Sequence, residues 1–314
     1  MSTQARSRHW AHMGETTFVA GIWLLYGAHR LLGRRIFRAL MAPVVLVHWL
    51  ARPAVREASL QYLQRLQAAE HVFDEEPGAR HSLRHLMLFA ETLLDKLLAM
   101  AGRFPLERVR ISGDEFLRAA QPRRGGLLVT AHMGCLELCQ VLARRQQGIF
   151  TVHVLVHTRH AESFNRLLAR LDPHARLNLI EVTEISAATA VMLGEKVAAG
   201  DFVAIAGDRV PVQGERYVRV NFLGHSAPLP IGPYVLASLL RCPLYLLGCI
   251  HEGEGYALSF EQLAERVELP RATREAALAQ YAQAFADAVT KLLRRSPYDW
   301  FNFYPFWEPH DSRS

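Results

Sequence analysis

The stretch "GLLVTAHMGCLELCQVL", Gly126–Leu142, decides the fold class. Its opening "GLLVT" is a continuous apolar run of strand length, as expected for a strand buried on both faces. From Cys135 the apolar residues take helical spacing through "CLELCQVLARRQ". Gly134 lies in the loop between them and allows the chain to turn sharply. A buried strand running directly into a helix predicts a parallel sheet covered by helices.

The alternation continues on both sides of this stretch. "RVRIS" reads as a strand and "DEFLRAA" as a short helix before it. After it, "FTVHVLVH", "RLNLIEV", "FVAIAG" and "PLYLLGCI" read as strands. Helical stretches "AESFNRLLARL", "SAATAVMLGEKVAAG" and "GPYVLASLLR" alternate with them. "YALSFEQL" suits an edge strand, and "ATREAALAQYAQAFADAVTKLLRR" a long closing helix. Two amphipathic helices, Ala54–Val72 and His81–Met100, precede the sheet. The expectation is an α/β fold with a mostly parallel sheet flanked by helices. Ligands would bind at the C-terminal strand ends.

The N-terminus has a different texture. Two apolar runs, "FVAGIWLLYGAH" (Phe18–His29) and "ALMAPVVLVHWLA" (Ala39–Ala51), flank Arg30, Arg34, Arg35 and Arg38. Neither reaches the roughly 20 residues a spanning helix needs. Together they suit a membrane-associated helical hairpin dipping into one leaflet, with the arginines at headgroup level. A buried hairpin is the alternative, and it would have to supply partners for those charges. The expected organisation is membrane-associated N-terminal helices over 1–53 and an α/β domain over 54–314.

Composition narrows the chemistry. Half of the 314 residues are apolar and 21% are charged, which excludes a disordered chain. A net charge of +6 and a pI near 9.3 suit anionic partners. The basic residues do not interleave with aromatics in any nucleic-acid module. The four cysteines, Cys135, Cys139, Cys242 and Cys249, lack metal-ligand spacing and read as buried reduced thiols. His153, His157 and His160 are close in sequence, but a strand and its loop would point them apart. There is no Walker loop, no dinucleotide fingerprint and no Gly-x-Ser-x-Gly elbow.

What remains is His132 in the strand-to-helix loop and Glu137 in the first helical turn. A carboxylate on one imidazole nitrogen fixes the tautomer and supports the ring's charge while the other nitrogen accepts a proton. That arrangement activates an alcohol. Backbone N–H groups at the helix start are placed to hold an oxyanion. A capping or core histidine beside a surface glutamate fits the same residues, and on this stretch alone is the stronger reading.

The wider sequence shifts the balance. His-x-x-x-x-Glu after an apolar strand resembles the signature of glycerolipid and lipid A acyltransferases. "HWAHMGE" with the apolar helices and "LLGRR", then "GDRVP" (Gly207–Pro211), "VNFLGHSAPLPIGPYVLA" (Val220–Ala237) and the closing "SPYDWFNFYPFW" are similar, in order, to blocks of the lauroyl/myristoyl acyltransferase family of lipid A biosynthesis. The resemblance implies transfer of an acyl chain from acyl-carrier protein, or less often coenzyme A, to a lipid hydroxyl. It implies His132 as general base, Glu137 as its orienting partner, and Asp208 and Arg209 as the site floor. Phe222, Gly224 and the Gly232–Pro233 turn would line the acyl or acceptor groove, and Arg159 would approach substrate. No cofactor or metal is implied beyond the thioester donor. The implied partners are acyl-carrier protein, a lipid or glycolipid acceptor and an anionic membrane surface, with no nucleic acid. The implied location is the inner membrane, with the catalytic domain on its cytoplasmic side. The family usually has Asn-Trp where this chain has Cys135-Leu136, and Gln where it has Arg209, so the acceptor side differs. Acylation of lysophospholipid or glycerol phosphate, or a non-catalytic membrane-binding role on the same scaffold, are the alternatives.

Overall fold

The computed structural model describes residues 15–115, 125–145, 151–156, 178–181, 187–210 and 216–308. The apolar run of the opening stretch is strand β2 (Gly126–Thr130), buried along its whole length. It lies at the centre of a seven-stranded sheet among the described residues, in the order β1-β9-β8-β2-β5-β3-β4. The other members are β1 (Val109–Ser112), β3 (Val152–Val156), β4 (Asn178–Glu181), β5 (Phe202–Ala206), β8 (Leu244–Glu252) and β9 (Gly255–Ala264). Every pairing is parallel except β8 with β9. β9 is therefore not the edge strand its sequence suggested. It sits between β8 and β1, and β1 takes the edge.

β2 faces a core on each side because strand side chains alternate. Leu127 and Val129 join α2 (Pro53–Glu70), α5 (Ala187–Ala198), α6 (Gly232–Leu240) and α7 (Arg274–Arg295) in one core. Leu128 joins α1 (Glu15–Ala51), α3 (Ala79–Met100) and α4 (Glu137–Arg145) in the other.

The block "VRVNFLGHSAPLP" forms a separate antiparallel hairpin, β6 (Tyr217–Phe222) and β7 (His225–Pro230). Leu223 and Gly224 make the two-residue turn, both with positive φ (52° and 77°), the handedness that matches strand twist. Gln283 of α7 clamps the hairpin through both backbone groups of Asn221, each at 2.8 Å.

The N-terminal region contains a bent helix pair. α1 breaks at Gly33 (φ 78°, ψ 176°), and its second part turns through 98° into α2 at Pro53. Among the described residues no single helix is long and apolar enough to cross a membrane; only this bent pair passes together. After the break, α1 lies on α3. Phe37, Met41 and Val45 are buried at one-turn intervals, each contributing roughly 1.5–3 kcal/mol if fully buried. Arg34 and Arg38 meet acidic partners on α3. Arg34 donates to both oxygens of Asp95 (3.0 and 2.8 Å), and Arg38 to both of Glu91 (2.6 and 2.8 Å). α3 supplies the partners that a buried charge requires. On the opposite face of α1, Ile36, Leu40, Val44, Val47 and Leu50 form an exposed apolar stripe.

Candidate active site

β2 and β5 pair in parallel with Thr130 opposite Ala206. Two residues beyond each strand end stand His132 and Asp208, side by side at the C-terminal edge of the sheet. Gly134 makes the turn that follows possible. Its φ is 47°, and a Cβ there would fall 2.2 Å from the Cys249 carbonyl oxygen. Asp208 Oδ1 accepts from His132 Nδ1 at 2.7 Å, and Oδ2 accepts from the His132 backbone N–H at 2.8 Å. The same Oδ2 accepts from Trp300 Nε1 (2.9 Å) and Asn302 Nδ2 (3.0 Å). With the carboxylate ionised, the imidazole proton belongs on Nδ1, which leaves Nε2 with a free lone pair.

The electrostatics favour a neutral ring beside a charged carboxylate. Burial lowers the His132 pKa from its ordinary value, Asp208 opposes this, and the charges of Arg209 and Lys96 lower it further. Burial alone would raise the Asp208 carboxyl, but His132, the N–H donors and Arg209 hold it well below the usual carboxylate range. The result is an imidazole that is neutral at neutral pH.

The segment around Trp300 assembles this geometry. The Phe301 N–H donates to the His132 carbonyl (2.8 Å), and Met133 pairs with Trp300 in an antiparallel bridge. Arg209 donates from Nε to Asn302 Oδ1 (2.7 Å) and from a terminal nitrogen to the Phe301 carbonyl (3.0 Å). Trp300 is fully enclosed, edge-on to Tyr62, Phe222 and Phe306 at 4.8–5.2 Å between centroids. A chain of hydrogen bonds reaches its carbonyl from α1. Trp49 Nε1 donates to Ser82 Oγ (3.0 Å), Ser82 to Ser59 (3.0 Å), Ser59 meets His85 Nδ1 (3.0 Å), and His85 Nε2 meets the Trp300 carbonyl (2.9 Å).

Glu137 does not hold His132. It is the first residue of α4, which packs against α3, and its Oε1 lies 3.2 Å from Lys96 Nζ. The carboxylate on the imidazole is Asp208, brought there by strand register rather than by nearness in sequence. The Gly134 N–H points to the Asp299 carbonyl (3.4 Å) and the Cys135 N–H to Cys249 Sγ (3.2 Å), so these two groups are not open to an oxyanion. Arg159 lies outside the described residues. Phe222 is a buried core aromatic that reaches Asp208 only through Trp300, Gly224 is the exposed hairpin turn, and Gly232 opens α6. Trp300 and Asn302 escaped the sequence reading as site residues, although they lie in the quoted aromatic block. The signal that could have paired His132 with Asp208 was the repeated pattern of a buried five-residue strand, one small residue, then the polar group.

Two other histidine–aspartate pairs occur among the described residues. His153 Nε2 meets Asp201 Oδ2 (2.8 Å) at the N-terminal ends of β3 and β5, away from His132. His157 and His160 lie outside the described residues, and no metal-binding cluster occurs among those described. His251, on β8, repeats the His132 grip: Asp299 holds its backbone N–H and its Nδ1, both at 2.6 Å. All four cysteines are buried, and burial pushes the Cys139 thiol up to about 12.

A phosphatidylinositol mannoside acyltransferase from Mycolicibacterium smegmatis (strain ATCC 700084 / mc(2)155) is 23% identical to this chain over 206 residues. The match covers 66% of the chain and 64% of that relative's length, so the chain spans just under two thirds of it. The bacterial lipid A biosynthesis acyltransferase family matches residues 96–308. That span takes in the oriented His132, the aspartate gripping it, and the aromatic segment fastening both, and so by fold, site and sequence the chain belongs to the lipid A biosynthesis acyltransferase family.

Proposed function

We propose that the protein is an O-acyltransferase that moves a fatty acyl chain from a thioester to a hydroxyl of a lipid or glycolipid. The observation that carries this is the His132–Asp208 pair: a neutral imidazole with Nδ1 held by an ionised aspartate and Nε2 available. Nε2 takes the acceptor hydroxyl proton as the oxygen attacks the thioester carbonyl. The tetrahedral intermediate then collapses, the C–S bond breaks, and the imidazolium returns the proton to the departing thiolate. Asp208 stabilises the imidazolium between the two steps. Acyl-carrier protein is the proposed donor, in keeping with the chain's net charge of +6 and with the family matched. A glycolipid acceptor is supported by the relative's name.

Membrane association belongs to the same proposal. The apolar stripe Ile36, Leu40, Val44, Val47 and Leu50 would enter one leaflet while Phe37, Met41 and Val45 hold α1 to the domain. The test combines both parts. Purified protein is incubated with acyl-carrier protein bearing a labelled acyl chain and with bacterial lipid extract, and the lipid gaining label is identified. Label in a glycolipid supports the reading; label only in phosphatidic acid or a diacyl phospholipid moves it to glycerolipid acylation. No transfer from carrier-protein or coenzyme A thioesters sinks it. Leu40→Ser/Val44→Ser/Val47→Ser should reduce flotation with anionic vesicles while leaving the fold intact.

A further inference from the structure

The chemistry above leaves one charge unassigned. A thioester under attack develops an oxyanion, and it needs a preorganised donor. The Gly134 and Cys135 N–H groups are engaged elsewhere. Arg209 is fastened to Asn302 and the Phe301 carbonyl. Lys96 differs. It lies on α3 and pairs with Glu137, the first residue of α4, the helix that follows the His132 turn, and its charge acts on the His132 ring. Among the described residues its ammonium has one anchor, Glu137 Oε1 at 3.2 Å, and its side chain keeps 27% exposure. Glu137 Oε2 is buried with no donor among the described residues, so Glu137 is tied to Lys96 alone.

We propose that Lys96 is the cation that stabilises the oxyanion beside His132, and that Glu137 is its positioning residue. The inference rests on the acyl-transfer reading. It reassigns the two acidic residues: Asp208 serves the base, and Glu137 serves the electrophile's cation. An ammonium carries three donors, and a single carboxylate oxygen occupies one, so capacity remains for a substrate oxygen.

Removing Lys96 alone leaves Glu137 buried without a counter-charge, which can unfold the protein. The neutral pair Lys96→Met/Glu137→Gln removes both charges together and keeps the test readable, with Lys96→Arg as the charge-retaining control. The double variant should lose about 10²–10³-fold in kcat with little change in KM, the size expected for one oxyanion donor. Lys96→Arg should recover part of that loss. His132 faces Asp208, Arg209 and Lys96, so loss of Lys96 should also move its titration upward. Histidine NMR, with His132 assigned by difference from His132→Gln, reads that shift without turnover. The proposal is overturned if the folded double variant keeps kcat within about threefold of wild type, or if its His132 titration does not move. It is also overturned if Glu137→Gln alone matches Asp208→Asn in both rate and titration, because Glu137 would then serve the base. An inactive wild-type protein overturns acyl transfer itself, whereas an unmoved His132 titration overturns only the role of Lys96.

Discussion

His132 and His251 are held in the same way and differ in what is left over. In each pair an aspartate takes the backbone N–H with one oxygen and Nδ1 with the other. Each histidine lies on or just beyond one of two adjacent parallel strands, β2 and β8. His132 keeps 36% of its side-chain accessibility, with Arg209 and Lys96 near enough to depress its charging. His251 keeps 16%, lies 4.3 Å from the Tyr256 ring, and has Nε2 buried without a partner among the described residues. A bidentate aspartate fixes a histidine's orientation and tautomer, and the two sites then differ in how open the second nitrogen is. His85 is a third case, with both ring nitrogens bonded.

The comparison breaks most sharply if the two histidines are exchanged in importance. His132→Gln should lose about 10²–10⁴-fold in kcat, the range for a general base, while His251→Gln should remain within about threefold. Equal losses in a labelled-chain transfer assay would show that the grip itself, not the free nitrogen, carries the chemistry. Asp208→Asn should come next, at about 10²-fold or more, because an amide cannot support the imidazolium. Asp299→Asn should instead appear as a stability loss of about 1–3 kcal/mol in urea unfolding, from buried donors left without their acceptor.

Acid should separate the histidines further. His85 is neutral in the fold, its pKa pushed down to about 4 by burial, with the Trp300 carbonyl opposing. A depressed folded value means stability present above the unfolded pKa and lost as pH falls toward the folded one. Between about pH 6.5 and about pH 4 this one group should withdraw roughly 3 kcal/mol, read as a falling urea midpoint and removed in His85→Gln. The smallest effect concerns the rate profile. His132 must be neutral to act, and its pKa is lowered, so the acid limb of kcat/KM should fall below pH 6.5. An acid limb above 6.5 would contradict the environment described.

The strands were legible because each rests on local pattern, whereas His132 stood out only through the ordered blocks of the family resemblance. "GLLVT" is apolar throughout since β2 has a core on both faces, and "FVAIA" repeats that signal in β5. The aspartate partner was misread for a physical reason. Glu137 is five residues from His132, but α4 carries it toward Lys96. Asp208 is 76 residues away in sequence, yet register places it against the ring. The partners of Arg34 and Arg38 were not legible because Glu91 and Asp95 sit on the buried face of α3, where apolar periodicity gives no hint of charge. The β6–β7 hairpin was missed because its turn uses Leu223 at positive φ, a position where sequence leads one to expect Asn or Gly.

The segment around Trp300 gives the molecule an order in time. Trp300 and Asn302 reach Asp208 from more than ninety residues further along the chain, and Phe301 and Asp299 secure the turn after β2. As the polypeptide leaves the ribosome, β2 and β5 can pair well before those residues exist. Until they arrive, Asp208 lacks two of its donors and the His132 carbonyl lacks its own. The nascent sheet thus carries an unfinished His132–Asp208 pair, and its full set of hydrogen bonds comes late in synthesis.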